Sequence, residues 1–437
     1  MKMETIKSII LTVLVLSSIL LFWIIVTYQQ NYDSIDRQEY VKEINIDQEK
    51  SLKQLIIPNK LIFRENGTEF TGTEQIEQIE NLYQYLGEWD FYNFQSNPEE
   101  FADRFENQSD TDAIVFQFSD DIPFQIINSL FNLDAKTVPI GSFRYIFIFP
   151  DQLNEEEGTL FFVPSDMSSA VKAGVRYSQL NEFLTLYQEM TEESDPYYVY
   201  KKEDGSYLFI LNREVEVNDS RFIPGYFDTD LFKDALFPDP NFVTKNGNRY
   251  TDGSSLLDIF SDTKTVSYVN LTVQLNGLIS SEDLIKKAVD FVNGHSGWTD
   301  QYLFTRYELK MQRIIFQKYM QDYPVFSHFG SSEISLEISD QGVYSYERPY
   351  FKFNISFNPT FQTYRLLSGE NVLQLLDEND SVDLKEIEDV LVGYQLTFDE
   401  AEQLIILEPS WFYRTDDGWE KVNNASVKVG GVADGLE

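Results

Sequence analysis

From residue 8 to residue 32 the chain carries no Asp, Glu, Lys or Arg, and this is its only uncharged run of such length. The apolar heart, residues 9–26, reads IILTVLVLSSILLFWIIV. As a helix, residues 8–28 would cover roughly 31 Å, the hydrocarbon thickness of a bilayer, and this predicts one transmembrane helix. The core is longer than that of a cleavable signal peptide and is followed by Thr27, Tyr28, Gln29 and Gln30 rather than by small residues, so the segment is expected to remain as an anchor. Lys2 and Lys7 precede it and Asp33, Asp36 and Glu39 follow it, which places the N-terminus inside. Trp23, Tyr28 and Tyr32 suit the outer headgroup layer. Thr12, Ser17 and Ser18 interrupt the apolar run; their hydroxyls can bond back to the preceding turn or form a close-packing face for another helix.

Beyond the anchor the pattern alternates between strand and helix periods. Residues 29–60 read as a stalk leading into the exterior region. Asn66-Gly67 between apolar residues predicts a hairpin over 61–70. Ile76, Ile79, Tyr83 and Leu86, with Gly87 as a stop, predict a helix, and Pro98-Glu99-Glu100 opens another. Residues 113–118, 143–149 and 160–163 are short apolar runs of buried strands; 122–133 reads as a helix packed on them, and 178–190 as a closing helix. TEESDP at 191–196 has no apolar period and predicts a domain boundary. Strands resume at 197–200 and 207–211, while 221–253 resists assignment. Alternation at 269–275 predicts a strand with one wet face, followed by a helix from Ser281 to Gly294 and strands at 302–309 and 314–319. A similar order follows, with alternation at 351–357, helices from 369 and 382, and strands at 394–398 and 403–407. It suggests that the C-terminal unit repeats the central one.

The resulting expectation is an α+β chain: a single N-terminal transmembrane helix followed by a multi-domain extracellular region of antiparallel sheets with packed helices. Its parts are a cytoplasmic N-terminus (1–7), the transmembrane helix (8–28), the stalk (29–60), an N-terminal α+β domain (61–195), a central one (196–325), a C-terminal one (326–422) and a flexible tail (423–437).

Charge narrows the partners. The chain holds 34 basic and 72 acidic residues, and residues 31–437 keep 32 and 71 of them. So acidic an exterior disfavours nucleic acid and anionic headgroups, which need Lys/Arg surfaces. With 42% hydrophobic and 15% aromatic residues, the chain can nonetheless fill several cores. The absence of cysteine removes disulfides, thiol nucleophiles and thiolate metal sites, and favours the surface of a Gram-positive cell. On such a surface the six Asn-x-Ser/Thr sequons are accidental.

No candidate for catalysis survives its own context. His295 sits just past a helix end and His328 between aromatic residues, neither with a partner at ligand spacing. Ser261-Asp262-Thr263-Lys264 matches Ser-x-x-Lys, but Lys264 runs directly into an extended segment and no Lys-Thr-Gly occurs. Asp228/Asp230 and Asp416/Asp417 are close carboxylates of the kind that a chain this acidic produces by chance. Asp377, Asn379, Asp380 and Asp383 lack the glycine and closing glutamate of a calcium loop and read as a solvated helix junction. The expectation is therefore no catalytic residue, no cofactor and no metal.

Several stretches spread from end to end resemble the YycH family of membrane-anchored regulators of Gram-positive bacteria: Glu4-Thr5-Ile6-Lys7-Ser8 before the apolar run and Tyr28-Gln29 after it, Leu236-Phe237-Pro238-Asp239-Pro240, Tyr250-Thr251-Asp252-Gly253, Tyr346-Glu347-Arg348-Pro349-Tyr350-Phe351, and Pro409-Ser410-Trp411-Phe412-Tyr413 with Asp417-Gly418-Trp419. The resemblance implies a non-enzymatic, negative or modulating partner of the essential cell-wall-sensing histidine kinase of the YycG/WalK type, acting with a YycI-like protein. It also implies that the single membrane helix contacts the kinase's helices, which makes Thr12, Ser17 and Ser18 the contact candidates, and that the YycI-like protein makes both exterior and transmembrane contacts. A surface-anchored wall-binding module or hydrolase is the competing reading.

Overall fold

The computed structural model describes residues 49–429 apart from 109, 135–136, 296, 329 and 358–360. The expected anchor, with Thr12, Ser17 and Ser18, lies outside the described residues. Among the described residues no helix is long and apolar enough to cross a membrane. They form a sheet-rich α+β arrangement with one ten-stranded, one three-stranded and one fourteen-stranded sheet.

The ten-stranded sheet is apolar on both faces, which explains the continuous apolar runs in its strands. In Ala113–Pro123, Ile114, Phe116 and Phe118 enter one core while Ala113 and Val115 enter the other. Ser142–Leu153 and Glu157–Val163 divide in the same way, with Ile146, Ile148, Leu160 and Phe162 opposite Phe147, Phe149, Phe161 and Val163. The first face is covered by the helices Ile76–Leu86 and Leu180–Glu193, whose Ile79, Leu82, Tyr83, Phe183 and Tyr187 supply the apolar stripe. The second is covered by Phe101 and Phe105 and by side chains from the far end of the chain, among them Val390, Val392 and Trp411. Asn66 and Gly67 both take positive φ, 47° and 72°, and make the expected hairpin between Lys60–Glu65 and Glu69–Thr73.

The expected break at 191–196 is a close turn: the helix ends at Glu193 and the strand Asp195–Lys201 begins at once. With Tyr207–Leu211 it extends the edge of the ten-stranded sheet through pairing to Glu69–Thr73. The fourteen-stranded sheet runs from the hairpin at Thr244–Asn246 to the edge strand Phe351–Ser356. Its two halves meet where Tyr323–Phe326 runs parallel to Asp389–Asp399, one of two parallel pairings among otherwise antiparallel strands. That approach needs Gly393, because a Cβ there would lie 2.8 Å from the Phe326 ring and 2.9 Å from the Pro324 carbonyl. The helix Ser281–His295 covers the first half through Leu284, Ile285 and Ala288.

Three expected elements are corrected. Residues 122–133 hold a strand end, a 3-10 turn at Phe124–Ser129 and the short strand Asn132–Leu133 rather than a helix. The strand expected at 269–275 stops at Asn270, whose side chain accepts from the Thr272 amide and hydroxyl and turns the chain. No helix starts at Val382: Asn379 and Asp383 accept from the Ser381 and Lys385 amides, offering the backbone a turn in place of helical bonds.

Candidate functional site

The ten-stranded sheet and the C-terminal strands meet in a buried seam of charge. Lys60, fully buried at the start of Lys60–Glu65, uses all three of its ammonium donors. They go to Asp389 Oδ1 at 2.6 Å, to the Phe209 carbonyl at 2.8 Å and to the Val390 carbonyl at 2.8 Å. Asp389 Oδ2 accepts from Gln117 Nε2 at 3.2 Å and Asn59 Nδ2 at 3.4 Å, with Arg144 Nη2 at 3.6 Å. Next to it, Arg414 donates to the Ser119 carbonyl at 2.7 Å and pairs with Glu388 at 2.6 Å and Asp120 at 3.8 Å.

Register explains how the C-terminal half of this cluster is held. Asp389 and Arg414 are direct partners across the ladder of Asp389–Asp399 and Leu404–Thr415, so both reach the same central strands of the ten-stranded sheet. Gln117, Ser119 and Asp120 come from one strand there and Arg144 from its neighbour. Three cations therefore face three carboxylates.

Electrostatics follows the geometry. Burial pushes the Asp389 carboxyl up, but Lys60 and Arg144 outweigh it and hold the group below its ordinary value. Burial likewise opposes, and Arg414 and Arg144 overcome it, at Glu388, which is also lowered. At Asp120 burial wins and the carboxyl is raised. Beside the seam, Glu74 is pushed up to about 7 by burial, with Lys60 pulling against it and Asp389 adding to it. Its Oε1 and the hydroxyl of nearby Tyr197 are both sealed from solvent, and the hydroxyl pulls the Glu74 carboxyl down against burial.

The residues singled out in the sequence do not converge here. His295 stacks on Phe291 with centroids 4.1 Å apart and shares a 2.8 Å hydrogen bond with the Phe291 carbonyl; burial lowers its pKa. His328 is exposed on a loop. Ser261 to Lys264 form the turn between Ser255–Phe260 and Thr265–Asn270, and the Lys264 ammonium donates to the Ser261 backbone carbonyl, not to its hydroxyl. Asp228 caps the helix Thr229–Leu236 by accepting from the Asp230 amide, while Asp230 accepts from the Tyr250 hydroxyl. Asp416 and Asp417 lie in a hairpin turn, and Asp377, Asn379, Asp380 and Asp383 are all exposed. Among the described residues no group of three or more His, Asp or Glu side chains is placed to hold a metal ion. The seam itself left a faint signal: lone polar residues within or beside apolar strands, Gln117 in AIVFQF, Arg144 in SFRYIF and Asp389 ahead of VLVGYQL.

Comparison with known proteins places this arrangement. The family model of the YycH protein N-terminal domain matches residues 4–191, and that of the C-terminal domain matches residues 206–428. The chain belongs to the YycH family. A relative from Bacillus subtilis (strain 168), named "Two-component system WalR/WalK regulatory protein YycH", is 24% identical over 459 residues, an alignment spanning 100% of both chains. That relative is named as a regulatory protein, not as an enzyme. The crystal structure of YycH from Bacillus subtilis superposes with a TM-score of 0.74 at 20% identity, covering 87% of this chain and 99% of that one, so the YycH fold is shared.

Proposed function

We propose that this protein is a non-enzymatic accessory regulator of a WalK-type sensor histidine kinase. The observation that carries the reading is the alignment with the Bacillus subtilis regulatory protein, which leaves no part of either chain uncovered. In this reading residues 8–28 span the membrane once, with residues 1–7 inside and the bulk of the chain outside, at the surface of a Gram-positive cell. The membrane helix packs better against one conformation of the kinase's own helices, and its differential contacts bias a two-state bundle. Thr12, Ser17 and Ser18 are the contact candidates, since small hydroxyl residues let helices approach closely and bond across the interface. A YycI-like protein associates with the exterior and positions the helix with it.

The test uses the absence of cysteine. Single cysteines at Thr12, Val15, Ser17, Ser18 and Leu21 are expected to crosslink to the kinase on one helical face. Lack of any crosslink from correctly inserted protein would reduce the helix to a tether. A chain truncated after residue 30 should retain part of the effect on kinase output, and its sign, inhibition or activation, is read in the same assay.

A further inference from the structure

A cavity of about 210 Å3 opens on the first half of the fourteen-stranded sheet. Strand alternation builds its floor: Ile314 and Phe316 enter the core beneath the helix Ser281–His295, so Arg313 and Gln317 line the opposite face. Phe326 and Trp419, with ring centroids 5.1 Å apart, line it as well. The strand Glu333–Ser339 begins at its rim and brings in the Glu333 carboxylate.

Of its five charges two satisfy each other, Arg313 and Glu333 do not, and Asp417 adds a carboxylate from the exposed hairpin turn. Arg306 and Glu308 form an ion pair at 3.0 Å. Arg313 donates through Nε to Ser335 Oγ at 3.0 Å, which leaves the outer edge of its guanidinium without a partner among the described residues. The Glu333 carboxylate makes no ion pair or side-chain hydrogen bond among them either. The two groups sense each other without touching: burial pushes the Glu333 carboxyl up, and the Arg313 charge is the strongest pull against it.

We propose that this cavity binds a small zwitterion, a free α-amino acid, with its ammonium on Glu333 and its carboxylate on Arg313. An unpaired guanidinium beside the Glu333 carboxylate, with Asp417 adding negative charge on the ammonium's side of the balance, calls for a ligand carrying both signs. A guanidinium edge matches a carboxylate through two parallel hydrogen bonds. Phe326 and Trp419 give the cavity an apolar wall. Size sets the class, because about 210 Å3 lies below the roughly 300–1,000 Å3 of pockets that take drug-sized ligands. The inference stands on these residues alone and is independent of the kinase reading.

The test is saturation-transfer NMR on the full-length protein in detergent micelles, with alanine, ethylamine and propionate as probes. Alanine is expected to bind, and each half-probe to bind at least about tenfold more weakly, since each lacks one charge-assisted contact. Glu333→Gln and Arg313→Gln are each expected to weaken alanine by a similar factor, with the thermal transition of Glu333→Gln retained as the check on folding. Three results would overturn the proposal: no alanine signal at any soluble concentration, ethylamine or propionate binding as well as alanine, or alanine binding unchanged in a folded Glu333→Gln protein.

Discussion

The seam and the cavity are both built from charged side chains on sheet strands, yet they differ in one respect that decides what each can do. At the seam Lys60, Arg144 and Arg414 lie within 4 Å of Asp389, Glu388 or Asp120, and the Lys60 ammonium has no donor left over. At the cavity Arg313 and Glu333 are held apart by the strands that carry them, and each keeps unused capacity. Ion-paired charges in a buried place fix the relative position of the strands that bear them, even though Arg144 Nη2 and Arg414 Nε there lack a hydrogen-bond partner. Unsaturated charges in an open place are available to something from outside.

The seam should be the costlier of the two to disturb. Asp389→Ala removes the acceptor of a fully buried ammonium and leaves Arg144 facing one carboxylate fewer. Breaking a buried pair from one side costs about 3–5 kcal/mol, whereas replacing both partners with apolar groups is often close to neutral. Urea unfolding should therefore show a large loss for Asp389→Ala and a much smaller one for Lys60→Met combined with Asp389→Leu. Equal losses would mean that the seam contributes through packing and not through charge.

Glu74 gives a second, pH-dependent handle on the same region. Its carboxyl rises from 4.5 to about 7 in the folded protein, so between those values the folded state keeps a proton that the unfolded chain has released. Its contribution to stability therefore falls as pH rises from 4.5 to 7 and levels off above. The full difference is about 3 kcal/mol at 1.36 kcal/mol per pH unit. Glu74→Gln is expected to exceed the parent by an amount of that order at pH 8 and to match it near pH 4. A gap between the two that does not change with pH would remove Glu74 from the account.

How much of this could be read from the sequence depends on the range of the interaction. The helix at Ile76–Leu86 and the Asn66-Gly67 hairpin rest on neighbours three or four residues apart or on the φ preferences of two residues, and both appear where expected. The turns at Asn270 and Asn379 run against the apolar period, because a side chain's bond to an amide two residues on overrides it. Lys60 and Asp389 are 329 positions apart, and nothing local to either indicates the other. The cavity is hidden for a different reason: nothing local to Arg313 or Glu333 indicates the other, and only the pairing of their strands brings both to one cavity. Asp417-Gly418-Trp419, by contrast, stood out in the family resemblance, and Trp419 does line the cavity.

The smallest expected effect is the one that separates the two regions most clearly. Glu333→Gln removes a carboxylate that burial already disfavours and that has no partner to lose. Its folding free energy should stay within about 1 kcal/mol of the parent, in the range of substitutions that break no network. Near pH 8 the change should be neutral or favourable, because the native state no longer has to hold a partly desolvated anion there. Read beside Asp389→Ala, it contrasts a charge needed by the fold with one the fold tolerates. A loss as large as that of Asp389→Ala would show that Glu333 is a structural partner after all, and the cavity would then belong to the same class as the seam.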